Sequence, residues 1–152
     1  MSKQAQSKIL IDKLAHECAP IIHQLIKTLS IDTIAWAPHS LPRQLPFLKE
    51  FRRILNLPYP EVVLNKAYSG EIPVAQKSLS KLEERIENAR QTIFVRKVPV
   101  QAKRVLIIDD AVGSGATLNE IASKLKSSHS VKSVFGYAIA GSYKGFEVIR
   151  EV

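Results

Sequence analysis

From Ser7 to Leu29 the apolar residues Ile11, Leu14, Ala15, Cys18, Ile22, Leu25, Ile26 and Leu29 recur at helical spacing. One face of a long N-terminal helix, within residues 1–30, is therefore predicted to pack on the body of the protein, with Pro20 kinking or dividing it. The segment Ile31–Ala37 is rich in β-formers and closed by Pro38, which reads as a first strand. A proline-punctuated loop, His39–Pro46, leads into Phe47–Leu55, helical by pattern, and the short run Glu61–Ala67 is a second strand. Next comes a polar stretch, Tyr68–Gln91, whose Leu79, Leu82, Ile86 and Ala89 fall at near-helical intervals, with Ser80-Lys-Leu-Glu83 available as a capping box. Thr92–Lys97 and Arg104–Asp109 are further strands, Thr117–Ser127 a helix and Ser133–Ala140 a last strand. Strands alternating with helices predict an α/β fold: a parallel central sheet flanked by helices, with ligands at the carboxyl ends of the strands. No internal repeat, low-complexity tract or interdomain linker interrupts the chain, so residues 1–152 are expected to form one domain.

The richest chemistry lies at residues 105–117, Val-Leu-Ile-Ile-Asp-Asp-Ala-Val-Gly-Ser-Gly-Ala-Thr. Four apolar residues deliver Asp109 and Asp110 to the end of a buried strand, and a small-residue loop opens at once into a helix. The turn Gly113–Thr117 can wrap its amides around a phosphate at a helix N-terminus, where dipole and orphan donors both favour an anion. The two acids are then placed to accept hydrogen bonds from hydroxyls. A phosphorylated sugar satisfies both halves of this arrangement, whereas an ordinary strand-to-helix turn would use the acids only as caps.

Composition bounds the rest. A chain of 152 residues can bury about 68–70% of its unfolded surface as one domain without staples. Hydrophobic residues at 45% and charged residues at 24% are ordinary for a soluble globule, and the apolar runs are too short to cross a bilayer, so no membrane partner is expected. The first eight residues lack the apolar core and cleavage site of a signal peptide, which predicts a cytoplasmic protein. One cysteine, Cys18, excludes an intramolecular disulfide and a multi-cysteine zinc cluster; the Cys18 to His23 spacing is poor for one helical face, so core packing is expected there. Trp36 is expected in the core as well, and Tyr143 and Phe146 are expected to pack rather than stack on a base. With 22 Lys+Arg against 14 Asp+Glu, the net charge of +8 and pI near 9.7 suit a polyanionic partner, whether phosphosugar, nucleotide or nucleic acid.

Residues 105–117 resemble the 5-phosphoribosyl-1-diphosphate (PRPP) loop of type I phosphoribosyltransferases, in which a hydrophobic strand runs into two acids and a short Thr/Ser/Gly loop. A second motif, Gln76, Leu79, Arg85 and Asn88 ahead of the strand around Phe94, is similar to the ComF branch of that family, the competence-associated amidophosphoribosyltransferase-like proteins. Together the motifs cover roughly residues 33–140. Two features depart from the branch. Its usual N-terminal zinc ribbon is replaced by a cysteine-poor helix, and the Arg-Gly-Phe-Asn-Gln-like sequence after the first strand is replaced by Leu45-Pro-Phe-Leu-Lys49.

The resemblance implies a Mg²⁺-dependent transfer of phosphoribose from PRPP to a nitrogen nucleophile, an unidentified base or amine, with release of pyrophosphate. It assigns residues 104–129 to the PRPP-binding strand, loop and helix. Ala111, Val112, Gly113, Ser114, Gly115, Ala116 and Thr117 would form the 5-phosphate loop, with the Ser114 and Thr117 hydroxyls assisting, and Asp109 and Asp110 would engage the ribose. Residues 68–91 would be a mobile flap from which Lys77 and Arg85 reach the diphosphate, so that Asp109, Asp110 and Arg85 form the catalytic set. Pro38, His39, Ser40 and Arg43 would stand in for the altered pyrophosphate loop. Mg²⁺ would be held through substrate oxygens rather than by a protein cage. The family also implies a homodimer. Two non-catalytic alternatives fit the same residues: a sensor of PRPP or a nucleotide, and a DNA-uptake accessory that binds single-stranded DNA through its basic surface.

Overall fold

A computed structural model of the chain describes residues 3–39, 47–67, 81–128 and 131–141. Its elements are α1 (Lys3–Thr28), β1 (Thr33–Trp36), α2 (Phe47–Leu55), β2 (Glu61–Lys66), α3 (Leu82–Thr92), β3 (Ile93–Lys97), β4 (Arg104–Val112), α4 (Ala116–Ser128) and β5 (Ser133–Gly141). Among the described residues the strands form one five-stranded sheet in the order β3-β2-β1-β4-β5. Four strands run parallel, and β3 is antiparallel to β2. The mostly parallel central sheet is the one expected, with an antiparallel strand added at one edge. Ile93 follows α3 without a loop and pairs with Lys66 at the carboxyl end of β2, so the strand has only one direction left, back down the sheet.

The two faces are covered by different helix pairs. α1 packs on α2, and α3 packs on α4. On β5 the Tyr137 hydroxyl is hydrogen-bonded to Cys18 of α1, whereas a Cβ at the adjacent Gly136 would lie 3.2 Å from Leu118 of α4. Successive residues of a strand face opposite ways, so α1 and α4 lie on opposite faces of the sheet. Between them sits an aliphatic core of Ile22, Ile34, Leu106, Ile107, Ile108, Ile121 and Leu125, each at most 1% exposed. On the α1 side, Phe51 of α2 is fully buried between Phe47 and Trp36, and the Trp36 indole N–H donates to Glu61 at 2.9 Å. Trp36 and Cys18 are thus packing residues, as expected.

Several boundaries differ from those the pattern suggests. Pro20 does not divide α1, a single helix of 26 residues. Proline removes the partner of the His16 carbonyl, but both residues are exposed and water can take its place. The capping box is shifted by one residue: Lys81 is the N-cap, and its N–H donates to Glu84 at 3.4 Å. Ser80 lies outside the described residues. At β1 the strand is four residues long instead of seven.

Burial and the Cys18 hydrogen bond push the Tyr137 phenol up to about 12 from 10. A raised pKa in the folded state contributes stability that is fully present below pH 10 and is lost as pH climbs toward 12. Difference titration of phenolate absorbance against Tyr137→Phe is expected to place its midpoint near 12, with Cys18→Ala moving it down. A midpoint near 10 in the unaltered protein would refute this.

Candidate functional site

β4 delivers the acid pair to the carboxyl edge of the sheet. Its buried run Val105–Ile108 is at most 1% exposed, and Asp109, Asp110, Ala111 and Val112 continue the strand half-buried. The strand is longer than expected: Ala111 and Val112, assigned to the phosphate loop from the sequence, pair with Ala140 and Gly141 of β5. Small apolar side chains at both positions allow the neighbouring strands to stay in register this far. The bend between β4 and α4 is therefore only Gly113-Ser114-Gly115. Gly115 adopts φ +84°, a left-handed conformation that side-chain-bearing residues adopt only with strain. Ser114 is 4% exposed, and its hydroxyl oxygen accepts from the Ala116 N–H at 3.3 Å. Its oxygen thus caps the start of α4 instead of lying open beside the loop. The helix begins there, with the Asn119 N–H on the Gly115 carbonyl at 2.9 Å, so the first-turn amides point out toward the edge.

Alternation along β4 separates the two acids. Asp109 pairs with Ala138 and shares the α4 face with Ile107 and Gly136, so Asp110 is turned toward the α1 face. The Asp110 N–H donates to the Asp109 carboxylate at 2.8 Å. Close to Asp109 stands Lys66, the last residue of β2 and absent from the sequence-based candidates. Burial pushes the Lys66 ammonium below its ordinary range, and the Asp109 charge opposes that shift. A lone lysine closing a strand has no sequence signature, although its place at the carboxyl end of an apolar run is a usable hint.

Arg85 enters from α3. It is 6% exposed, and its Nη1 lies 3.9 Å from where a Cβ on Gly113 would stand. Within α3, Arg85, Ala89 and Thr92 form the buried face, at i, i+4 and i+7. The expected flap, 68–91, is thereby divided: from Leu82 onward it is a helix packed on α4, while Tyr68 to Ser80, with Gln76, Lys77 and Leu79, lies outside the described residues.

At the end of β1 the Ala37 N–H donates to the Ile108 carbonyl at 2.9 Å, which carries Pro38 and His39, both half-buried, to the same edge. Ser40 and Arg43 lie outside the described residues, as do Tyr143 and Phe146. Lys66, Arg85, Asp109, Asp110 and the bend 113–115 thus converge from three separate stretches of chain. Cations beside a turn of small residues can hold phosphate groups, and a carboxylate pair next to them can hold hydroxyls. A cavity of about 280 Å³ lies elsewhere, between α4 and β5, lined mainly by Ile107, Leu118, Ala122, Val134 and Gly136; it meets the bend only at Gly115 and lacks the acids.

The backbone as a whole superposes on solved phosphoribosyltransferases. The fold is that of the type I phosphoribosyltransferases. The hypoxanthine phosphoribosyltransferase of Staphylococcus aureus superposes with a TM-score of 0.52 at 16% identity, over 95% of this chain and 70% of that one. For the hypoxanthine phosphoribosyltransferase of Trypanosoma cruzi the TM-score is 0.55 at 15% identity, over 91% and 76%. A lysine-to-arginine mutant of the Trypanosoma cruzi enzyme, in a ternary substrates complex, gives 0.54 at 16%, over 89% and 78%. No protein-family model and no curated protein sequence matches the chain. Within this fold the acid edge of β4 and the bend before α4 occupy the carboxyl side of the parallel strands, where open α/β sheets bind ligands. No described helix is long and apolar enough to cross a membrane.

Proposed function

We propose that the protein binds PRPP at the carboxyl edge of β4 and transfers its phosphoribosyl group to a nitrogen nucleophile. The observation that carries the reading is the buried Arg85 guanidinium beside Gly113, which puts a permanent cation against a bend of small residues directly after two acids. The 5-phosphate lies on the amides from Gly113 to Thr117, at the start of α4. Asp109 and Asp110, one toward each face, accept from ribose hydroxyls, while Lys66, Arg85 and the edge residues Pro38 and His39 border the diphosphate. Lys77, Ser40 and Arg43 belong to the same proposal. Among the described residues no group of three or more His, Cys, Asp or Glu is placed to hold a metal. The carboxylates of Asp109 and Asp110 are oxygen donors of the kind Mg²⁺ takes, and the ion would be held by them together with substrate oxygens and water. When bound, Mg²⁺ would offset the charge of the diphosphate.

The bond from ribose C1 to the diphosphate oxygen breaks with its electron pair leaving on the diphosphate, and the nucleophile's nitrogen forms the new bond to C1 and gives up a proton. Positive charge develops on the ring between those events, and the carboxylates beside it stabilise that charge. Arg85 and Lys66 hold the departing diphosphate. No side chain serves as nucleophile; the work is positioning and electrostatics.

Titration calorimetry of PRPP in the presence of Mg²⁺ is expected to show saturable heat, and a panel of bases and amines is expected to release pyrophosphate. Absence of binding would end the proposal; binding without turnover for any acceptor would leave a sensor of PRPP. A second reading rests on the net charge of +8, which suits single-stranded DNA in a competence role. It requires affinity that falls steeply with added salt, and salt-insensitive binding would remove it.

A further inference from the structure

α3 carries Arg85, yet its sequence Leu-Glu-Glu-Arg-Ile-Glu-Asn-Ala-Arg-Gln-Thr is too polar to be anchored by its own apolar contacts. Its fully buried apolar residue is Ala89, and Leu82 and Ile86 are half-buried. Rotation or sliding of α3 would displace Arg85 directly, because Arg85 shares the buried face of Ala89 and Thr92 that packs the helix in place. Something outside α3 must fix it.

Lys124 of α4 reaches across to its end. The ammonium donates to the carbonyl of Arg90 at 2.8 Å and to that of Ile93, and it stands 3.3 Å from the Glu120 carboxylate. It also lies 5.4 Å from the centre of the Phe94 ring. The Arg90 carbonyl lies in the last turn of α3, where acceptors are orphaned and the dipole favours a cation, and Ile93 opens β3 directly after it, so a lysine from a neighbouring helix grips the junction of α3 and β3. The grip comes from α4, which starts directly after the bend Gly113-Ser114-Gly115. One rigid helix thus carries the bend at its start and holds the end of α3 two turns later.

We propose that Lys124 is a positioning residue: by clamping the Arg90 and Ile93 carbonyls, at the junction of α3 and β3, onto α4 it sets the rotation of α3 that keeps Arg85 against the bend at Gly113. The proposal rests on the PRPP reading of the site, and its effect passes through Arg85. Lys124 touches no substrate.

The test is a double-mutant cycle read by calorimetry with PRPP and Mg²⁺, with thermal unfolding measured beside it. Lys124→Met keeps the apolar stem and removes the ammonium; it is expected to weaken PRPP roughly fivefold or more. In an Arg85→Met background the same change is expected to cost no further affinity, and Lys124→Arg is expected to restore part of the loss. Asp32→Asn, at the opposite end of the sheet, should lower the melting temperature without altering affinity. If Lys124→Met does not fold, Lys124→Gln takes its place with the same expectations. Unchanged affinity in Lys124→Met, or an equal loss with and without Arg85, overturns the proposal alone. No binding by the unaltered protein overturns the site reading and takes this proposal with it.

Discussion

Replacing Asp109 and Asp110 together by asparagine is expected to weaken PRPP binding by about two orders of magnitude or more while the protein stays folded. Hydrogen bonds to a charged acceptor are worth about 1.5–3 kcal/mol each, and the double change converts two charged acceptors into neutral amides of the same shape. The fold should tolerate it, because both side chains are only half-buried and the carbonyl of an asparagine at 109 can still accept from the residue 110 N–H. The single variants should differ. Asp109 is the carboxylate that opposes the downward shift of Lys66, so Asp109→Asn leaves that lysine easier to deprotonate. PRPP affinity in Asp109→Asn is therefore expected to decline at a lower pH than in Asp110→Asn. Calorimetry across pH measures both effects. Equal affinity for the double variant and the unaltered protein would show that the edge of β4 is not the ribose site.

The largest effect on stability is expected from Asp32→Ala, at the opposite end of the same two strands. The Asp32 carboxylate accepts from the Lys103 N–H at 3.1 Å, the Arg104 N–H at 3.0 Å and the Thr33 hydroxyl at 2.8 Å. The Asp32 N–H in turn donates to the Arg104 carbonyl at 3.0 Å. One side chain thus locks the entry of β1 to the entry of β4, across 71 residues of chain. Alanine leaves two backbone donors and the fully buried Thr33 hydroxyl short of a partner. The cost should be about 3 kcal/mol, and for a domain of this size about 6–12 °C in melting temperature. Asparagine keeps an acceptor and should lose roughly half as much. Because Asp32 stands at the amino ends of the strands and the site at their carboxyl ends, PRPP affinity should not change in either variant. A loss below about 1 kcal/mol in denaturant unfolding of Asp32→Ala would mean that water replaces the carboxylate.

Much of the chain's local structure was legible because local patterns cause it. Phe47–Leu55 and the start of β2 at Glu61 fall where periodicity put them, since an amphipathic turn or an alternating run is complete within a few residues. The acid pair followed by small residues is also a local signal, and it led to the carboxyl edge of β4. Its reach was overestimated: Ala111 and Val112 read as loop because small residues suit a turn, yet the neighbouring β5 gives them ladder partners. The burial of Ser114 and the hydrogen bond its hydroxyl oxygen accepts from Ala116 are invisible in the sequence.

What the sequence by itself determined is the succession of strands and helices and the motif Asp109-Asp110 followed by Gly113-Ser114-Gly115, because each depends on neighbours within about one turn or one strand. Only the tertiary structure decided the direction of β3, the meeting of Lys66 with Asp109, the burial of Arg85 beside Gly113 and the grip of Lys124 on the end of α3. Those bring together residues tens of positions apart. Side-chain alternation has the same period whichever way a strand runs, and a charged side chain carries no local mark of the distant carbonyl or carboxylate it will meet.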